Sequence, residues 1–220
     1  MGGFNVSEKL LLIVGSGPGI SLNTARKFGK EGFKVAMISR SMDSLQRYED
    51  ELKNDGIIAK GFPGDVSSEE SLRKAIDKVI KTYGKVDVLL YNAASGRPGK
   101  PTTLSADQLV EDFKISVAGA LTAVKETVPH MQNGAILLTG GGLALHPYAD
   151  YSSLAIGKAG IRNLAYSLNQ ELASKGIYVG TLTIKGFVEE GTYVSPANIA
   201  ETFYHMFENR KDVEVTFEEK

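Results

Sequence analysis

A short apolar run, Leu10 to Val14, opens directly into Gly15-Ser16-Gly17-Pro18-Gly19-Ile20-Ser21, and helix-forming sequence follows at once. Glycine is needed where a chain turns tightly and where its backbone must lie close to another group. The helix that starts here offers unpaired N–H groups to an anion, and a pyrophosphate suits them. A plain strand-to-helix turn would also tolerate glycine, but three glycines placed between a first strand and a helix fit the anion cradle better. This commits the chain to a β-strand that feeds a crossover helix, and so to a parallel sheet.

The rest of the sequence supplies that sheet. Mostly unbroken apolar stretches at Lys9–Val14, Lys34–Ser39, Ile57–Phe62, Val86–Tyr91, Ala135–Thr139, Tyr178–Ile184 and Val213–Phe217 read as strands covered on both faces. Helical patterns fall between them near 20–31, 42–54, 68–83, 105–130, 152–174 and 196–208. Ser67, with Glu70 three residues on, reads as an N-cap. Ser195-Pro196 places proline in the first turn of the last helix. Ser95–Thr103, with Gly96, Pro98, Gly99 and Pro101, reads as an internal loop. The expected architecture is α/β: one domain over residues 1–220, a doubly wound parallel sheet of about seven strands with helices on both faces.

Composition removes several function classes. A formal charge of −1 gives no basic excess for nucleic acid, and no apolar run of ~18 residues is present to span a membrane. There are no cysteines, so neither disulfides nor thiolate chemistry arise, and three scattered histidines argue against zinc. The start, Met1 to Lys9, lacks the apolar core of a secretory leader. Met1-Gly2 has Val6 where a myristoylation signal wants Ser or Thr. A cytoplasmic location is expected.

The second strand ends Ile38-Ser39-Arg40-Ser41. An acidic residue at its end would hold the ribose hydroxyls of NAD(H). Here Ser39 occupies that position and Arg40 follows, and a guanidinium flanked by Ser39 and Ser41 suits a 2′-phosphate. The reading prefers NADP(H), with NAD(H) as the alternative; a solvated arginine at a strand end is the plain one.

With Asp65-Val66 after the third strand and Asn92-Ala93-Ala94 after the fourth, the whole chain resembles the short-chain dehydrogenase/reductase family. That resemblance implies a Rossmann-type sheet of order 3-2-1-4-5-6-7. It implies a dinucleotide held by Gly15, Ser16, Gly17, Gly19, Ile20 and Ser21, by Ser39, Arg40 and Ser41, and by Asp65, Val66, Asn92, Ala93 and Ala94. Lys158 and Gly186 would complete that set.

The common family members use Asn, Ser, Tyr and Lys. Ser116, Gly141 and Leu154 stand at the first three positions, Lys158 is retained, and Lys185-Gly186 replaces a Pro-Gly pair. The divergent, enoyl-reductase-like type has other spacings, Gly-x5-Ser in the turn and Tyr-x6-Lys in the active helix. Gly15 with Ser21 and Tyr151 with Lys158 meet both. Seven helical residues rotate ~700°, within ~20° of two turns, so the pair shares a helix face. The resemblance implies that the Tyr151 phenol bonds a substrate carbonyl while Lys158 holds the nicotinamide ribose. The divergent type carries a second tyrosine where Gly141 stands here. Tyr148 can replace it only if its loop folds inward, and His146 on that loop is a conceivable proton relay. The segment Phe187 to Val194 leaves little room for a lid.

Two functions remain open. One is an NADP(H)-dependent oxidoreductase of a small carbonyl or enoyl substrate. The other is a catalytically degenerate dinucleotide binder acting as a redox sensor or scaffold. Helices 105–130 and 152–174 resemble the family's paired-helix interface, which implies a homodimer or homotetramer.

Overall fold

In the computed structural model, residues 8–219 are described; the readings made on Met1, Gly2 and Val6 lie outside them. Seven strands form one parallel sheet: β1 (Leu10–Val14), β2 (Lys34–Ser39), β3 (Ala59–Pro63), β4 (Val88–Tyr91), β5 (Ala135–Thr139), β6 (Tyr178–Ile184) and β7 (Glu214–Phe217). Their order is β3-β2-β1-β4-β5-β6-β7, as the resemblance implied. The helices are α1 (Ile20–Lys30), α2 (Met42–Asn54), α3 (Glu69–Tyr83), α4 (Ala106–Phe113), α5 (Gly119–Thr127), α6 (Ser152–Leu172) and α7 (Pro196–Asn209).

Strands β1, β4 and β5 are buried along their entire length, because successive side chains enter apolar cores on opposite faces. One core joins Leu10, Leu12 and Val14 to residues of α3, α5 and α6. The other joins Leu11 and Ile13 to α1, α2 and α7, where Phe28, at the end of α1's apolar stripe, meets Phe33 and Tyr204 edge-on. Parallel pairing puts every strand's carboxyl end on one edge of the sheet. The order reverses between β1 and β4, and the crevice that opens there is where such folds bind ligands.

Local chemistry moves several boundaries from their expected places. Ser68, not Ser67, caps α3: its hydroxyl accepts from Ser71 N, while Asp65 Oδ1 captures the Ser67 hydroxyl and N–H at 2.7 and 2.9 Å. The expected helix over 105–130 is four pieces, with a π-helical segment at 114–118 between α4 and α5 and a 3₁₀ turn at Val128–His130. There Gly119 N–H reaches back to Lys114 O, leaving Ile115 O to accept from the buried Tyr91 hydroxyl. A side chain from the sheet thus satisfies the carbonyl released by the wide turn. Ser105 and Gln108 form a capping box at the start of α4. Strand β3 begins at Ala59 because Ile57 packs in the turn after α2 and Ile58 faces solvent. The loop after β4 contains a 3₁₀ turn at Pro101–Thr103.

Candidate active site

Every residue expected at the site lies on the carboxyl edge of the sheet or on α6. Gly15 has φ +88°, and a Cβ there would sit 2.6 Å from Ala93 Cα, so the turn tolerates only glycine. Gly17 and Gly19 face open space. Helix α1 has no capping side chain and no acidic residue in its first turn, and with Leu22 N donating to Gly17 O the N–H groups of Ile20 and Ser21 and the positive dipole end suit an external anion.

Ser21 and Asn92 turn inward. The Ser21 hydroxyl donates to Gly15 O (3.0 Å) and accepts from Asn92 Nδ2 (2.8 Å). Asn92 Oδ1 accepts from the Thr139 hydroxyl (2.9 Å), and Thr139 O accepts from Lys158 Nζ (2.9 Å). One hydrogen-bonded chain therefore runs from the glycine turn across β4 and β5 to α6. Ser21, Asn92 and Thr139 act as scaffold, fixing turn and lysine relative to each other. Ser116 is likewise engaged, donating to Ser95 O and accepting from Ser95 N, each at 3.0 Å.

At the end of β2, Arg40 is exposed and forms no ion pair among the described residues. Its charge acts on Asp65. The Ser67 hydroxyl and N–H hold that carboxyl below the ordinary range, and the Arg40 charge adds to the effect. Ser41 caps α2 by accepting from Ser44 N, and Ser39 is half-buried beside it. Val66 continues the loop that follows β3.

Tyr151 and Lys158 line one cleft of about 580 Å³, together with Ile20, Gly141, Leu154 and Gly186. Tyr151 occupies the N-cap of α6 with φ −128°, ψ 39°, so the helix begins one residue after it and two full helical turns do not separate the pair. Lys158 keeps part of its surface open to the cleft, while burial pulls its ammonium down to about 8. Tyr148 and His146 stand at the margin of the cleft, with Tyr148 largely exposed, so its loop does not bury it at the site. Leu154 packs on the loop after β4, where a Cβ at Gly96 would lie 2.8 Å from Leu154 Cα. Gly141 lies against the aliphatic stem of Lys158. Phe187 and Val188 form an exposed apolar rim and Lys185, also at the cleft, pairs with Glu218 at 3.1 Å.

Asp112 belongs to none of the motifs that mark the site. It is 1% exposed and bonded to Ser95, Ser153 and Arg97. The signal was available, since Asp112 and Ser116 stand four apart on the stripe that continues through Ala120 and Ala123, the inward face of α4–α5.

Among the described residues no helix is long and apolar enough to cross a membrane, and no group of three or more acidic, histidine or cysteine residues is placed to hold a metal ion.

A profile of short chain dehydrogenases matches residues 9–192. A putative ketoacyl reductase of Streptomyces coelicolor is 33% identical over 192 residues, covering 83% of this chain and 71% of the relative. Tropinone reductase-like 3 of Erythroxylum coca is 29% identical over 168 residues, covering 75% of this chain but only 65% of its own length. Among solved structures, a variant actinorhodin polyketide ketoreductase with NADPH superposes at a TM-score of 0.88 and 22% identity, covering 95% of each chain. An alcohol dehydrogenase from Thermococcus sibiricus complexed with 5-hydroxy-NADP gives 0.86 at 21% identity, with 97% and 99% covered. At these identities the structural likeness is one of fold.

Proposed function

The chain belongs to the short-chain dehydrogenase family of oxidoreductases, and on that footing we propose that it transfers a hydride between NADP(H) and a small carbonyl or α,β-unsaturated substrate. The observation that carries this reading is the joining of Tyr151 and Lys158 in a cleft tied by hydrogen bonds to the glycine turn.

The residues fit a dinucleotide. Gly15 to Ser21 and the bare α1 terminus suit the pyrophosphate. Arg40, an exposed cation without an ion pair among the described residues, suits a 2′-phosphate between Ser39 and Ser41, and favours NADP(H) over NAD(H). Asp65 and Val66 would border the adenine, and Ala93, Ala94 and Gly186 would wall the nicotinamide end. The cofactor supplies or accepts the hydride when bound.

The chain's own residues do the rest. The Tyr151 hydroxyl hydrogen-bonds the substrate oxygen and gives it a proton as negative charge develops there. Lys158, desolvated and held on Thr139 O, places a positive charge beside that oxygen and eases loss of the phenol proton. Leu154, Phe187 and Val188 shield the substrate's apolar body from water. The enoyl part of the substrate range rests on the Gly15–Ser21 spacing and on Tyr151 sharing the cleft with Lys158. No observation favours the other reading, a sensor without turnover.

Assembly through the outer faces of α4, α5 and α6 belongs to the same proposal. These faces expose Val110, Phe113, Leu121 and Ile156, apolar area that a second copy would cover.

The test is NADPH oxidation against ketones, aldehydes, quinones and enoyl thioesters, with NADPH and NADH binding followed by fluorescence. Binding of NADPH with turnover of a carbonyl or enoyl compound is expected. Binding of neither dinucleotide would overturn the proposal.

A further inference from the structure

Among the described residues one carboxylate is fully buried, and the proposed chemistry does not use it. Asp112 lies on α4 between the loop after β4 and the first turn of α6. Its Oδ1 accepts from the Ser95 hydroxyl at 2.7 Å, and its Oδ2 from the Ser153 hydroxyl at 2.8 Å. Arg97 adds longer contacts of 3.4 Å from its backbone N and guanidinium, and turns its other face to Glu111 at 3.0 Å. An isolated buried carboxylate is costly, and one with donors on both oxygens is a rigid junction. Burial alone would raise the Asp112 carboxyl, yet the Ser95, Ser153 and Arg97 donors hold it below the ordinary carboxylate range.

The packing explains why the junction forms. Helix α6 approaches the α4–π segment on small residues at i, i+4 and i+7: Ser153, Gly157 and Gly160. A Cβ at Gly157 would lie 2.9 Å from Ser116 Cβ, and one at Gly160 would lie 2.8 Å from Val117 Cγ2. That approach brings Ser153 to Asp112, while Ser116, one turn along, makes a second tie to Ser95. The loop then runs along the start of α6. Gly99 N donates to Asp150 O at 2.7 Å, the Ser152 hydroxyl donates to Gly99 O at 2.8 Å, and Gly99 pairs with Tyr151 in a parallel bridge. Tyr151 is therefore enclosed in a frame whose two sides, loop and helix, meet at Asp112.

We propose that Asp112 is a positioning residue: by clamping Ser95 and Arg97 to Ser153 it holds Tyr151 at the cleft opposite Lys158. The inference rests on the reading of Tyr151 and Lys158 given above for its catalytic consequence, but its structural content stands without turnover. Among the described residues no hydrogen bond joins helix α1 or the glycine turn to Asp112, Ser95, Arg97 or Ser153, so the effect is expected to separate from dinucleotide binding.

The experiment compares wild type with Asp112→Asn and the milder Ser153→Ala, using the full chain with NADPH. Asn leaves one acceptor and points an amide at Arg97 or at a serine hydroxyl. Ser153→Ala removes only the α6 side of the clamp. Amide hydrogen exchange is expected to quicken about tenfold or more at Gly99 and at 151–155 in both variants, with β1, β4 and β5 unchanged. At a temperature well below either variant's Tm, kcat is expected to fall about tenfold or more in Asp112→Asn, with the NADPH Kd within about twofold. A purely architectural aspartate would not split kcat from Kd in this way. Unchanged exchange at 99 and 151–155, or uniform acceleration through the sheet, would overturn the proposal. Tyr151→Phe separates the two readings. Local loosening in Asp112→Asn beside undiminished turnover in Tyr151→Phe would remove Tyr151 from the chemistry while leaving Asp112 as its clamp.

Discussion

Replacing Lys158 with methionine tests the electrostatic core of the site, because the lysine's charge is held where burial disfavours it. Its pKa falls from 10.5 to about 8, through desolvation. At ~1.4 kcal/mol for each tenfold change in proton affinity, this corresponds to about 3 kcal/mol, and partial opening of Lys158 to the cleft brings the working range to about 1–3 kcal/mol. The sign follows from proton binding. Below about pH 8 folded and unfolded chains both hold the proton, and the folded chain carries the full desolvation penalty. Between about 8 and 10.5 the unfolded chain holds more protons, so stability rises with pH. Lys158→Met removes the penalty and leaves Thr139 O without its donor, a loss of about 1 kcal/mol that does not titrate. Urea unfolding of both proteins near pH 7 and near pH 10.5 isolates Lys158, since all other groups cancel in the difference. The stability of Lys158→Met relative to wild type should be greater near pH 7 by about 1–3 kcal/mol. A difference independent of pH would refute the reasoning. The same ionisation shapes activity: kcat/KM for substrate reduction should fall as pH rises past about 8, where the free enzyme loses the ammonium.

The cofactor half gives three further tests. Arg40→Ala should weaken NADPH by about 10–100-fold and NADH by far less, the magnitude of a charge-assisted contact to phosphate; equal losses measured by fluorescence titration would refute the phosphate assignment. Gly15→Ala, placing a Cβ 2.6 Å from Ala93 Cα at φ +88°, should lose about 2–4 kcal/mol in urea unfolding. Gly17→Ala meets nothing within 4 Å, so it should keep its stability and yet weaken NADPH about tenfold or more. A Gly17→Ala protein that binds normally would place the pyrophosphate elsewhere.

Much of this architecture is legible in the sequence because its strands are covered on both faces. Leu10–Val14, Ala135–Thr139 and Tyr178–Ile184 are largely apolar runs, and each forms a strand with the bounds that its pattern gives or within one residue of them. Where side chains decide a boundary, the pattern is mute. Ser67 and Ser68 are equally good caps until Asp65 claims the first. Nothing in the periodicity of 105–130 announces a π segment, whose released carbonyl is satisfied by Tyr91 from another element. Site residues on the strand ends are legible for the same reason as the strands. The inward hydroxyls of Ser21 and Thr139 are not, because their partners, Gly15 O and the Asn92 amide, are brought to them from just beyond β1 and β4. Asp112 lay in plain view on an inward helical stripe, and an acidic residue there is the mark of a buried hydrogen-bonded junction.

The central claim is that the Tyr151 hydroxyl, beside Lys158, acts on the substrate oxygen. Tyr151→Phe removes that one atom from an exposed side chain at the cleft, with the helix start and Lys158 left in place. Measured under saturating NADPH with a substrate the wild type turns over, kcat should fall by about 10²–10⁴-fold while the NADPH Kd stays within about twofold. Undiminished turnover in the phenylalanine variant would contradict the account.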